Sequence, residues 1–169
     1  MEVFMKLTNS DVEKIKEEIE HRKLVVRKEA LEAVKEARAH GDLSENFEYH
    51  AAKKDKNKNE SRIRYLEKVL KTATIITDVS KSDEVGLNNT VQVYFEEDDE
   101  IETFKIVSTM RGDSVKGRIS NESPIGAALM GHKAGDRVEI KVNDSYSYFV
   151  VIKSIENTGE EETDTIRSY

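Results

Sequence analysis

The chain has 169 residues, of which 36% are charged and 37% are hydrophobic, and its formal net charge is −7. It contains no cysteine, which excludes disulfides, thiol nucleophiles and thiolate metal sites. No stretch approaches the length of a membrane span, and no basic leader precedes an apolar stretch, so the sequence predicts a cytoplasmic protein. The low apolar content indicates that part of the chain is a thin element exposed to solvent.

The charges are distributed unevenly along the chain. Residues 1–74 carry 17 Lys and Arg against 15 Asp and Glu, whereas residues 75–169 carry 10 against 19. This asymmetry indicates two parts that face different partners. The acidic total argues against a general nucleic-acid binder, whose domain is expected to be basic.

The first half predicts two long helices joined by a short turn at residues 40–46. A capping box at Ser10 to Glu13 starts the first helix, because a hydroxyl satisfies a free amide and Glu13 reaches back. The short connection makes the helices antiparallel, which predicts a coiled-coil hairpin over residues 1–76. The predicted seams are Val12, Ile15, Ile19, Arg22, Val26, Ala30, Ala33 and Ala37 in the first helix, and Tyr49, Ala52, Lys56, Asn59, Ile63, Leu66 and Leu70 in the second.

The second half predicts a sheet, because the hydrophobic period changes to two residues from about residue 75. Acidic residues 96–100 and polar residues 143–145 are typical of hairpin connections. The predicted strands, which are rich in β-branched and apolar residues, are 90–95, 102–107, 115–120, 137–142 and 146–155.

One short helix interrupts these strands, with Ser123 as N-cap, Pro124 at the first helical position and Gly131 after its end. The fold class is therefore α+β, with the helical hairpin followed by an antiparallel sheet domain at residues 77–157. The remaining residues, 158–169, are predicted to form a loose acidic tail.

Asp42 and Glu45 in the turn allow two interpretations. In the structural one they form a capping box, with Asp42 capping the second helix and Glu45 at its third position, where both favour the helix dipole. In the functional one their carboxylates are Mg²⁺ ligands. Two carboxylates do not complete a Mg²⁺ site, so a partner would have to supply the rest, and the protein alone would be inert.

A basic run follows the turn at residues 53–64, with six basic and two acidic residues. It is either a solvated helix face or a surface that attracts a phosphate backbone, with Lys53, Lys54 and Lys56 as the contact residues. The four histidines, by contrast, lack the spacing of a metal site.

Two stretches resemble the bacterial transcript cleavage factors of the Gre family. They are "HGDLSENFEYHAAKKDKNKNESRIRYLEKVLKTATII" at residues 40–76 and "ISNESPIGAALMGHKAGDRVEIKV" at residues 119–142. The resemblance covers both halves in the right order, and "GDLSEN" followed by "EYHAAK" is highly specific. The sequence pI of about 5.3 favours the less basic branch of the family.

The resemblance implies a coiled-coil hairpin with an acidic tip and an FKBP-like domain without prolyl isomerase activity. It implies RNA polymerase as partner, with the hairpin inside the secondary channel and residues around Ser123, Pro124 and Ile125 on the channel rim. The protein would then be no enzyme itself. It would stimulate the polymerase to cleave the RNA 3′ segment in backtracked complexes, and its contact with the nascent RNA 3′ end would be indirect.

The family's two catalytic acids fall on Asp42 and Glu45, and its neighbouring serine falls on Ser44. The implied Mg²⁺ is shared with the polymerase active site and is not bound stably by the factor alone. Lys53, Lys54 and Lys56 would contact RNA or the channel.

Phe47 departs from the family pattern, which has a small residue there, and this leaves the packing of the tip open. The intact acids argue against an inhibitory relative. Two rival functions stay open at this point. One is a non-catalytic regulator that binds the secondary channel, and the other is a coiled-coil adaptor for an unrelated client.

Overall fold

The computed structural model of the protein describes residues 5–41 and 45–168. By compactness the chain forms two units, one holding residues 12–74 and the other residues 6–11 together with the chain from residue 75 onward. Within the described ranges, no helix combines the length and the apolar character needed to cross a bilayer.

The first unit is an antiparallel helical hairpin, as the sequence predicts. Its first arm consists of α1 (Asn9–His21), a π-helical turn (Arg22–Val26) and α2 (Arg27–Arg38). Its second arm is the 26-residue α3 (Phe47–Thr72). The buried apolar side chains of the hairpin are Ile15, Ile19, Val34, Ala37, Ile63, Leu66 and Val69.

The π-helical turn corrects one part of the predicted seam. In this turn the Arg27 N–H donates to Arg22 O, five residues back instead of four. The extra residue shifts the buried face, so that Val34 is buried and Ala33 is exposed. The predicted seam already contains the signal, because two successive four-residue steps at Arg22, Val26 and Ala30 break the heptad spacing.

The buried Asn59 and the half-buried Arg22 form a polar layer in the middle of the hairpin. Arg22 Nη1 donates to Asn59 Oδ1 over 3.0 Å, and Asn59 Nδ2 donates to Arg22 O over 3.3 Å. The side chain of Asn59 is almost completely buried. A buried polar side chain with a single matching partner penalises every other alignment of two helices, so this pair sets the hairpin register.

The chain begins its first helix earlier than the sequence predicts. The capping box is formed by Thr8 and Asp11, since the Asp11 N–H donates to Thr8 Oγ1 over 3.1 Å and the Thr8 N–H donates to Asp11 Oδ2 over 2.9 Å. Ser10 is not the cap. Its hydroxyl donates to Glu160 in the second unit, to which residues 6–11 also belong.

The strands are β1 (Lys6–Leu7), β2 (Thr74–Ile75), β3 (Thr90–Phe95), β4 (Glu100–Val107), β5 (Arg118–Ser120), β6 (Arg137–Lys141) and β7 (Ser147–Glu156). The second unit is built on a five-stranded sheet with the strand order β5-β4-β3-β7-β6. The α+β fold class is thus confirmed. The difference lies at one edge, where β4 and β5 are parallel and the other pairs are antiparallel. Of the predicted strand at 115–120, the first residues form a 3₁₀ turn and only the last three form β5.

One face of this sheet is buried by α4 (Pro124–Leu129), the predicted short helix. Leu129 of α4 packs among the buried side chains of the sheet. Gly126 permits the close approach, because a Cβ atom there would lie 2.0 Å from Ser120 O. The buried core consists of Val85, Val91, Val93, Ile106, Leu129, Val138, Ile140, Val150 and Ile152.

The C-terminal segment, predicted as a loose tail, is bound to the second unit through residue 167. Lys105 Nζ donates to Asp164 Oδ2 over 2.5 Å, and Arg118 Nη1 donates to Thr163 O over 3.1 Å. Arg111 donates both to Asp11 and to Asp164 O. Three cations are buried here, and a buried charge is tolerated only when it is paired. The tail orders because it supplies those partners.

We expect Asn59→Ala to lower the free energy of unfolding of the full chain by about 1–2 kcal/mol, because Arg22 Nη1 loses its buried acceptor. Asn57→Ala is the matched control, since Asn57 is exposed on the same helix. Urea unfolding followed by circular dichroism measures both. Equal free energies of unfolding for the two variants would contradict the role of Asn59 in setting the hairpin register.

The buried Asp164 gives the protein a stability that depends on pH. Burial opposes its ionisation, but the hydrogen bonds from Lys105 and from the Glu161 N–H, with the charge of Arg118, hold the pKa of Asp164 below its usual value. A lowered folded-state pKa stabilises the fold above the unfolded-state pKa of about 3.9. That contribution disappears as the pH falls through the folded-state pKa.

Asp164→Asn should therefore be less stable than the wild type at neutral pH, and the difference should shrink as the pH falls below about 4. Urea unfolding at both pH values measures this. Glu162→Gln, an exposed change in the same segment, is the control and should leave the wild-type stability unchanged at both pH values. A stability difference between Asp164→Asn and the wild type that stays constant with pH would exclude the ion pair as the source of that difference.

Candidate functional site at the hairpin end

The candidate site lies where the two arms of the hairpin meet, which we call the hairpin end (residues 37–41 and 45–49). The last turn of α2 closes through hydrogen bonds from the Ala39 N–H to Glu36 O and from the His40 N–H to Ala37 O. Gly41 follows with a φ of +125°, a conformation that favours glycine. The helix therefore stops here, and the chain is free to turn.

Asn46 begins the second arm. It is the N-cap of α3, and its Oδ1 accepts from the Tyr49 N–H over 3.0 Å. This corrects the predicted capping box, because α3 starts at Phe47 and so Glu45 precedes the cap instead of occupying the third helical position. Asn and Asp are about equally good N-caps. Asn46 is the cap in this structure because α3 begins at Phe47.

Glu45 is exposed and lies outside the helix. Its carboxylate is therefore not committed to the capping box that the sequence predicts for it. Asp42 and Ser44, the other predicted catalytic residues, lie outside the described residues. Phe47, beside the cap, has a side chain that is 86% exposed, so it does not fill a core at the hairpin end.

Further contacts join the two arms close to Glu45. The Arg38 guanidinium lies 5.5 Å from the centroid of the Tyr49 ring. A hydrogen bond from Arg38, together with the charges of Lys53 and Lys56, lowers the pKa of the Tyr49 hydroxyl. On the surface, His40 Nδ1 lies 3.0 Å from Glu48 Oε2. These contacts hold the end of α2 beside the first turn of α3.

The basic run continues from this end along α3. Lys53 and Lys54 are exposed and Lys56 is half-buried. Lys53 and Lys56 lie on the Tyr49 side of the helix, because they follow Tyr49 by four and seven residues in α3. The structure thus places two of the three predicted contact lysines on one face that leads toward the hairpin end, with Lys54 beside it.

The predicted polymerase-binding residues belong to the second unit. Ser123 Oγ accepts from the Gly126 N–H over 3.1 Å and donates to Ser120 O over 2.6 Å, so it caps α4 as predicted. Pro124 at the first helical position is exposed, whereas Ile125 is half-buried against the sheet core. Of these three side chains, Pro124 is the most accessible to a partner.

Among the residues that the structure describes, no group of three or more His, Asp or Glu side chains is arranged to hold a metal ion. An exposed carboxylate such as Glu45 fits a shared Mg²⁺ site, in which most ligands come from elsewhere. It does not fit a metal site made by these residues alone.

Asn46, Arg38 and Tyr49 are the residues of this site that the sequence prediction missed. The signal for Asn46 was present, since the apolar seam of the second helix begins at Tyr49, three residues later, which is the spacing of an N-cap. The contact between Arg38 and Tyr49 joins two arms and carries no local sequence signal.

Comparison with known families and proteins gives matches in both units of the chain. Residues 5–75 match the family model described as transcription elongation factor, N-terminal. Residues 80–157 match the model described as transcription elongation factor, GreA/GreB, C-term. Together the two matches span both units.

Individual relatives agree with the family models. Transcription elongation factor GreA of Mesomycoplasma hyopneumoniae (strain 7448) is 43% identical over 83% of this chain and 88% of that protein. The protein of the same name from Chloroherpeton thalassium is 46% identical over 80% of this chain and 87% of its own length. The solved structure of GreA factor homolog 1 from Thermus thermophilus is 26% identical, covers 91% of this chain and 99% of that one, and has a TM-score of 0.41. From the family models and these sequence relatives, the chain belongs to the GreA/GreB family of transcription elongation factors.

Proposed function

We propose that this transcription elongation factor binds RNA polymerase and stimulates its intrinsic cleavage of the RNA 3′ segment in backtracked complexes. The observation that carries the proposal is the exposed Glu45 carboxylate at the hairpin end, which Asn46 relieves of the capping role. Family membership supplies the role in transcript elongation. The polymerase, and not the factor, is the enzyme.

The helical hairpin is suited to delivering a carboxylate into a narrow passage, which for this family is the secondary channel of the polymerase. Only two helices with one buried seam form the hairpin. Near its end, the side chains between the two arms are the small, buried Ala37 and the half-buried Asn46. Glu45, and in our proposal Asp42, would then meet the polymerase's own carboxylates and the RNA phosphate. Ser44 is proposed to assist beside them.

Asp42 and Glu45 would contribute oxygen ligands to one shared Mg²⁺, and such an ion supplies charge stabilisation and an activated water at neutral pH. The two side chains bring negative charge to the site and help to hold the ion there. On this proposal the factor alone does not hold the ion stably.

The second unit is proposed to dock on the rim of the channel through α4, where Pro124 is exposed beside Ser123 and Ile125. Lys53, Lys54 and Lys56 are proposed to contact RNA or the channel wall, because exposed lysines are attracted to phosphate. The contact with the nascent RNA 3′ end is indirect, and the site of action is the cytoplasm.

The central test replaces each acid by its amide. Asp42→Asn and Glu45→Gln remove a charged ligand and conserve side-chain size, so we expect cleavage in a backtracked complex to fall by about two orders of magnitude or more. Binding to the polymerase and helix content should be retained, because the cap and the docking surface are intact. The measurement is the shortening of RNA in a purified stalled complex.

Glu36→Gln is the matched control, since Glu36 is exposed on the same arm, and it should cleave like the wild type. Wild-type cleavage by both amide variants would contradict the proposal. Binding by a wild-type factor that never yields shortened RNA would identify a non-catalytic regulator of the channel instead.

A second test concerns the basic run. Replacing Lys53, Lys54 and Lys56 together by Gln should weaken polymerase binding at low salt and reduce the salt slope of the affinity by about one for each lysine on a phosphate. At high salt the variant and the wild type should converge, because screening removes the attraction in both.

The control for this test makes the same change in net charge elsewhere. It replaces three exposed lysines of the second unit, which are Lys6, Lys116 and Lys141. Identical salt slopes for the wild type and the Lys53, Lys54 and Lys56 variant would assign the run to a solvated helix face.

A further inference from the structure

We infer that Asn46 is a positioning residue, whose carboxamide clamps the two arms together and thereby sets the direction of the adjacent Glu45 carboxylate. The expected effect on RNA cleavage rests on the proposed function, whereas the clamp between the arms rests on the geometry of Asn46 alone. It adds a residue to the site that neither touches the RNA nor binds the metal.

The clamp consists of two hydrogen bonds made by one planar group. Asn46 Nδ2 donates to Ala37 O over 2.6 Å, and Asn46 Oδ1 accepts from the Tyr49 N–H over 3.0 Å. Ala37 O is among the last carbonyls of α2, and the Tyr49 N–H is among the first amides of α3. Within its own arm Ala37 O accepts from the His40 N–H of the closing turn, and its second lone pair accepts from Asn46. The Tyr49 N–H lies in the first turn of α3, whose amides have no acceptor within the helix. One side chain therefore serves both helix ends.

The chemistry selects a carboxamide. A donor and an acceptor on one rigid group are needed, and Asn carries both. An aspartate would keep the acceptor for Tyr49 but would present a second acceptor to Ala37 O, and no hydrogen bond can form there. A serine would also cap α3 well, and its hydroxyl can donate as well as accept, but its side chain is shorter and carries one oxygen in place of the separate donor and acceptor atoms with which Asn46 reaches both arms.

The other contacts between the arms at this end are weaker. His40 and Glu48 have side chains that are 64% and 71% exposed, and an exposed pair contributes little. The contact of Arg38 with Tyr49 lies on the outside of the arms, where the Arg38 side chain is exposed. Asn46 is half-buried, and its bond to Ala37 O is shorter than either of these contacts.

Glu45 depends on this clamp because it has no helix of its own. Its carbonyl side is joined to Asn46, whose backbone is held in the extended conformation of an N-cap, with φ −86° and ψ 94°. Without the bond to Ala37 O, the end of α3 would separate from the end of α2, and the carboxylate would sample more directions. A displacement of about 1 Å at a reacting group can cost about a hundredfold in rate.

The test separates the clamp from the cap. Asn46→Asp and Asn46→Ser each retain a good N-cap and lose the bond to Ala37 O, so helix content should stay at the wild-type value. At saturating factor, the maximal rate of RNA cleavage should fall about ten- to hundredfold, whereas the factor concentration that gives half of the maximal rate should not change. Asn9→Asp, the same change at an exposed residue in the first turn of α1, is the matched control.

A second readout does not depend on activity. The chain has no cysteine, so Lys35→Cys and Ala51→Cys place spin labels specifically on exposed positions of the two arms. In the full-length protein, the distance distribution between the labels should broaden in the Asn46→Asp and Asn46→Ser backgrounds and stay narrow with Asn9→Asp.

A wild-type maximal rate in both Asn46 variants would overturn the inference, and so would an unchanged distance distribution. If the wild-type factor itself stimulated no cleavage, the proposed function would fail instead. The label distances would still establish whether Asn46 clamps the arms.

Discussion

The hairpin depends on the buried pair of Arg22 and Asn59, because two helices share only one seam and have no second layer to fix their alignment. Apolar side chains alone would allow the arms to slide by a turn at modest cost. The Asn59 carboxamide meets both the side chain and the carbonyl of Arg22, the residue at which the π-helical turn begins. The hydrogen bond at the start of α3 depends on this register, since Asn46 reaches Ala37 O only when the arms are aligned.

The second unit solves a different problem, which is how to bury cations beside a small sheet. Lys105, Arg111 and Arg118 are each less than 10% exposed. Their partners come from both ends of the chain, with Asp11 on one side and the segment around Asp164 on the other. The family match of this unit ends at residue 157, before Asp164. The C-terminal segment beyond this match is held to the unit by the pairing of Asp164 with Lys105 and by the hydrogen bonds of Arg111 and Arg118 to its carbonyls.

Sequence patterns predicted what is repeated along the chain and failed where a single contact decides. Periodicity identified both arms and the strands, because each buries one face over many residues, whereas α4 was identified by its start and stop signals at Ser123, Pro124 and Gly131. It misplaced the cap of α3, because the capping-box spacing of Asp42 and Glu45 was favoured over the start signal at Asn46, and the bond from Asn46 to Ala37 O across the arms has no local sequence signal. It also misjudged residues 158–169, because an acidic segment is indistinguishable from a disordered one until its buried cationic partners are known.

The division of roles at the hairpin end follows from the limited number of oxygen lone pairs on a carboxylate. A carboxylate that caps a helix accepts backbone N–H groups, and each bond reduces its capacity to bind a cation. A neutral carboxamide can cap a helix without adding charge. Asn46 Oδ1 caps α3, and Asn46 Nδ2 joins the arms by donating to Ala37 O. Glu45, one residue earlier, is exposed and precedes the cap, and on the proposed function its carboxylate would be available to a partner. A site of this kind needs the structural residue and the reactive residue to be neighbours but not the same residue, because rigidity and availability place opposite demands on one side chain.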